Sequence, residues 1–109
     1  MDLVEEIMML QQKLTTSIRA LANNGKALAQ AEMDYKICLR QHALRLRDEG
    51  TPVTLINQVI YGIPEVADKR FKRDVAETMR DVAQENINAI KLQLRLLNDQ
   101  YTKEWGDTH

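Results

Sequence analysis

Glycine and proline are scarce in this 109-residue chain, and four of the six fall together: Gly50, Pro52, Gly62 and Pro64 lie within 15 residues. Neither residue suits a helix interior, because glycine loses the most backbone entropy on ordering and proline lacks the amide donor. Outside the cluster only Gly25 and Gly106 interrupt the chain. Residues 2–49 and 65–105 are rich in Leu, Ala, Gln, Glu, Lys, Arg and Met, which lose little rotamer freedom in a helix. The expectation is an all-α protein of two long helices, about 2–49 and 65–105, with a short helix, about 52–60, between them.

Hydrophobic periodicity supports both long helices. In the first, Ile7, Leu14, Leu21, Leu28, Tyr35 and His42 recur every seven residues. Leu3, Leu10, Ser17, Asn24, Ala31 and Cys38 occupy the second seam position of the same heptad. After Leu10 the apolar character drifts one place on, to Ile18, Leu39 and Leu46, as a helix of 3.6 residues per turn would have it. In the second, Ala76, Met79, Ala83, Ile87, Ile90, Leu94, Leu97 and Tyr101 follow at spacings of three or four, and Phe71 and Val75 extend the stripe backwards. Asn23-Asn24-Gly25 resembles a helix stop, but the heptad passes through it in phase from Leu21 to Leu28. That favours one continuous helix, with room for a kink.

The punctuation places the turn. Gly50 suits the left-handed position just past a helix end, Thr51 an N-cap and Pro52 a first helical residue. Gly62 would end the short helix, and Pro64 with Glu65 would open the last one. Helices of roughly 48 and 41 residues measure about 72 and 62 Å, whereas a compact globule of this length has a radius of gyration of only about 13 Å. The expected architecture is a long antiparallel, coiled-coil-like hairpin, a single domain with the short helix at its tip. Val4, Met8, Met9, Ile37, Leu44, Leu92 and Leu96 fall outside the narrow seams. Two helices give each other one face only, so these residues predict a homo-oligomeric helical bundle.

Composition excludes several functions. Hydrophobic residues make up 44% and charged residues 28%, too apolar for a disordered tail. A formal net charge of −1 excludes a general nucleic-acid coat and a DNA mimic, which need a large field of one sign. No stretch of 18 apolar residues spans a membrane, and the acidic start is unlike a secretory signal. The single Cys excludes an intramolecular disulfide and points to a reducing compartment.

The charge is unevenly distributed. Residues 36–80 hold nine Lys/Arg against six Asp/Glu, while 1–35 and 81–109 each hold three against five. A hairpin would therefore have a basic tip, and the candidate contacts for a partner or an anion are Arg45, Arg47, Thr51, Thr54, Lys69, Arg70 and Arg73. The run Lys69-Arg70-Phe71-Lys72-Arg73 could grip phosphates. However, Glu65, Asp68, Asp74 and Glu77 stand one turn from Lys69, Lys72, Arg70 and Arg73, as on a solvated helix face. The helix N-terminal amides and two hydroxyls of Gly50 to Ile56 could cradle a phosphate, but capping by Thr51 explains them as well.

Catalytic signals are absent from the sequence: it has no Gly-rich phosphate loop, no nucleophile triad and no paired acids in an apolar setting. Cys38 and His42, four residues apart, share a helix face and could hold a metal or form an activated thiol. Zinc needs three or four ligands and the only other histidine is His109, so a symmetric dimer is the expected route to a closed site. The preferred reading has Cys38 packing as a small apolar residue and His42 at the stripe edge, with no metal, no cofactor and no catalytic residue. Tyr101 and Trp105 are expected to clamp the open end, and Asn86, Asn88 and Gln93 to set register.

The series Gly50-Thr51-Pro52-Val53-Thr54-Leu55-Ile56, Gly62, Arg73-Asp74-Val75-Ala76-Glu77, Gln100 and Glu104-Trp105, with Ala31-Glu32 and Tyr35, resembles a group of small helical proteins of bacteriophages and prophages. The likeness covers roughly residues 20–105 and contains no diagnostic chemical motif. It implies a phage-encoded accessory protein of the bacterial host cytoplasm and carries over no site residue. The expected function is thus non-enzymatic: protein–protein interaction with a host or phage protein through a self-associating bundle. The alternative is a nucleotide- or nucleic-acid-binding protein that uses the basic tip, sequestering a host signal or acting near DNA replication or recombination.

Overall fold

The computed structural model describes residues 2–108, and side chains for residues 2–106. Helix α1 spans Leu3–Asp48, α2 spans Val53–Val59 and α3 spans Pro64–Thr108, with a 3-10 turn at Ile60–Gly62 between α2 and α3. There is no strand among the described residues, and no helix is long and apolar enough to cross a membrane. Helix α1 passes through Asn23-Asn24-Gly25 without a break. The heptad phase there outweighs the turn propensity of three residues.

The chain forms two compact units, one of residues 24–80 and one of residues 1–23 with 81–109. In the 24–80 unit α1 ends on Gly50, whose φ of +88° is the left-handed conformation that glycine adopts without steric cost. The Gly50 amide donates to the Arg47 carbonyl at 2.9 Å and the Thr51 amide to Leu46 at 3.0 Å, satisfying carbonyls that the last turn leaves open. Thr51 therefore closes α1 and does not cap α2. The N-cap of α2 is Pro52, at an extended ψ of 142° and with no side-chain capping bond. Its carbonyl accepts the amides of Leu55 and Ile56, each at 3.0 Å. The predicted cap is displaced by one residue, to Pro52, whose carbonyl accepts the first helical amides.

α2 and the turn fold over the start of α3. Tyr35, Cys38, Ile56, Ile60 and Val66 form the buried core, with Leu39, Ala43, Leu46 and Ile63 packed around it. Val66 has no exposed surface at all. The helices here run antiparallel, since His42 meets Glu65 and Tyr35 meets Arg73.

In the other unit Ser17 and Ile87, Ile90 and Leu94 are buried. Asn86 donates to the Ser17 hydroxyl at 3.0 Å, a polar bridge between the seams of α1 and α3. Asn88 instead accepts from Gln84 along the same helix. Tyr101 and Trp105 stack on each other along α3, ring centroids 6.3 Å apart, and stay largely exposed. The i,i+4 spacing places the two rings on one face of α3.

The α1 seams lie where the heptads put them, every member buried or half-buried, although Ile18 is exposed. The α3 seam differs from the expected stripe. Phe71, Val75 and Met79 are exposed, and the inward line is instead Val66, Lys69, Arg73, Ala76 and Arg80, continuing as Ala83, Ile87, Ile90, Leu94 and Leu97. This line alternates spacings of three and four throughout, a regular heptad whose early members include three cations.

Candidate functional site

The densest chemistry lies in the 24–80 unit, where α1 faces the first turns of α3. Cys38 and His42 are one turn apart on the inner face of α1, and Glu65 is the second residue of α3. The thiol sulfur, an imidazole nitrogen and a carboxylate oxygen all lie within 4.8 Å of one another. A third ligand-type side chain thus reaches the Cys38–His42 pair within one chain, and no second copy is needed to supply it. The sequence concealed this because Glu65 is 23 residues from His42 and looked like a helix-opening residue paired with Lys69.

His42 Nε2 and Glu65 Oε2 are 2.8 Å apart, and Nδ1 faces the Arg45 guanidinium at 3.2 Å. An arginine N–H can only donate, so Nδ1 accepts, and the proton of the neutral ring sits on Nε2, directed at Glu65. Arg45 also donates to Glu49 at 3.0 Å, one turn on. Glu65 is held below its ordinary pKa, first by the hydrogen bond from His42 and also by the Cys38 thiol and Lys69. Burial and the adjacent Glu65 carboxylate push the Cys38 thiol up. A thiol shifted in that direction stays protonated, so the arrangement is not that of an activated nucleophile. With 3% of its surface exposed, Cys38 packs as a small core residue.

Further along α3 the basic run is tied to aromatic rings. The Arg73 guanidinium lies 4.7 Å from the centre of the Tyr35 ring and donates from Nε and Nη2 to Asp74, at 3.0 and 2.8 Å. The bond to Asp74 raises the Arg73 pKa. Arg70 lies 5.2 Å over the Tyr61 ring. Of the four expected one-turn ion pairs only Asp68–Lys72 forms, at 3.0 Å. Glu65 turns to His42, Arg73 takes Asp74, and Arg70 takes a tyrosine.

The remaining tip residues are dispersed. Arg47 and Thr54 are exposed, while Thr51 and Lys69 are half-buried. The amides of Leu55 and Ile56 are taken by Pro52, which removes two donors from the phosphate cradle considered for this turn.

Comparison of the chain with protein-family models, with curated proteins and with solved structures finds no match.

Proposed function

We propose that this protein acts by binding and not by catalysis, as an antiparallel helical hairpin that associates with copies of itself into a bundle. The observation that carries the reading is the apolar surface left outside the seams. Val4, Met8, Met9, Ile37, Leu44, Leu92 and Leu96 are each 46–58% exposed. In the unit of residues 1–23 and 81–109, Met9, Leu10, Leu96 and Leu97 line an open groove of about 460 Å³, with Glu6 and Lys13 at its edge. Helices of a water-soluble monomer rarely keep such wide apolar faces, and burial against further helices removes them from water at about 25 cal/mol per Å².

In this reading the basic turn region is the part presented to a host or phage macromolecule. The resemblance to small phage and prophage proteins favours a role in the bacterial cytoplasm. The anion-binding alternative draws less support, because Arg45, Arg70 and Arg73 are engaged with His42 and Glu49, with Tyr61, and with Tyr35 and Asp74. Light scattering tests the proposal: a mass well above the 12.6 kDa of the chain supports it, and a monomer at high micromolar concentration overturns it.

A further inference from the structure

We propose that Cys38, His42 and Glu65 bind a zinc ion that ties α1 to the first turn of α3. The donor set selects the metal. One thiolate sulfur, one imidazole nitrogen and one carboxylate oxygen suit borderline-soft zinc, whereas magnesium and calcium take oxygen alone. Three protein ligands with a fourth position left to water is an established zinc pattern, and Glu65, with 61% of its side chain exposed, leaves that position open to solvent.

The distances suit the ion with small movements. Bond lengths of about 2.3 Å to sulfur and 2.0–2.2 Å to nitrogen and oxygen place tetrahedral donors roughly 3.4–3.6 Å apart. The three donor atoms here already lie within 4.8 Å, and the His42–Glu65 pair at 2.8 Å has only to spread. Cys38 and His42 are fixed by α1, so the exposed Glu65 carboxylate supplies the adjustment.

Charge and protons balance. The Cys38 thiol gives its proton to solvent, and Glu65 enters as the carboxylate. His42 frees Nε2 for the metal and carries its single ring proton on Nδ1 instead. One proton is released per ion, and the dication with one thiolate and one carboxylate forms a neutral centre in a partly buried site. Arg45 loses its acceptor on Nδ1 but keeps Glu49, and it is half-exposed, so water can replace the lost contact.

The test is cobalt(II) titration of the tag-free full-length chain, followed by displacement with zinc. The expected result is one ion per chain, with a thiolate-to-cobalt charge-transfer band that zinc abolishes. Cys38→Ser should remove the band and weaken binding at least about 100-fold, the upper end of what even an outer-shell partner costs. Zinc should raise the melting midpoint of the wild type and leave that of Cys38→Ser unmoved. Should Cys38→Ser fail to fold, Glu65→Gln carries the test, since its side chain is exposed; it too should weaken binding. A folded wild type without the band at millimolar cobalt overturns the proposal. So does a band of unchanged intensity and affinity in His42→Ala or Glu65→Gln.

Discussion

The two units join the same pair of helices with different side chains. Residues 81–97 of α3 present Ala83, Ile87, Ile90, Leu94 and Leu97 to α1, an aliphatic seam bridged once by Asn86 and Ser17. Residues 66–80 present Val66, Lys69, Arg73, Ala76 and Arg80, and the compact core comes from α2 and the 3-10 turn folding over Tyr35, Cys38 and Val66. An aliphatic seam is stabilised by burial alone. A seam containing cations needs their stems to pack and their heads to find rings or carboxylates, as Arg73 does over Tyr35 and beside Asp74. At the start of α3, α2 and the 3-10 turn supply apolar surface around Val66, and beyond it Arg70 and Arg73 lie over the rings of Tyr61 and Tyr35.

Substitutions can break this contrast. The largest effect is expected for Val66→Asp, which places a carboxylate where no surface is exposed. It should cost several kcal/mol and melt the 24–80 unit, read as a collapsed midpoint in denaturant unfolding. Ile90→Ala, in the aliphatic seam, should cost about 2–4 kcal/mol by the same measurement. A loss from Val66→Asp no larger than that from Ile90→Ala would deny that Val66 lies in a closed core.

Arg73 sharpens the comparison at smaller scale. Arg73→Ala should cost about 1 kcal/mol through lost ring contact and packing, and Arg73→Lys should recover only part of it, because an ammonium cannot make the paired bonds to Asp74. If Arg73→Leu proves more stable than the wild type, the cation is there for a partner and not for the fold.

The smallest effect concerns Glu65. Its pKa is lower in the folded chain than in the unfolded one, so its contribution is complete above the ordinary glutamate range. That contribution is lost as pH falls through the lowered folded value. Acid unfolding curves should show a slightly shallower acid limb in Glu65→Gln than in the wild type, and identical limbs would mean that the His42 contact adds nothing.

Much of this fold was legible in the sequence, for reasons that can be stated residue by residue. The α1 seams follow from heptads of Leu, Ile, Tyr and Cys, whose burial and spacing agree, and Gly50 follows from the left-handed end of a helix. Before Ala83 the inward line of α3 departs from the apolar stripe, because apolarity does not mark the inward positions there. Lys69, Arg73 and Arg80 point inward, while Phe71 at 66% and Val75 at 44% exposure point out. Only the heptad carried back from Leu97 to Val66 would have shown it. The site was half legible: the spacing of Cys38 and His42 marks one helix face, but nothing local says that Glu65 returns to it. That juxtaposition depends on the path of the whole segment between α1 and α3, through α2 and the 3-10 turn.

The exposed faces outside the seams bear the functional claim, and one measurement addresses it most directly. Multi-angle light scattering across a concentration series would compare the wild type with the double variant Leu92→Glu, Leu96→Lys. Both positions are exposed, and the new pair is oriented to support an isolated helix, so the fold should be retained. The account predicts a wild-type mass that is a multiple of 12.6 kDa and a helical variant that scatters as a single chain. A wild type that remains at 12.6 kDa up to high micromolar concentration would contradict it.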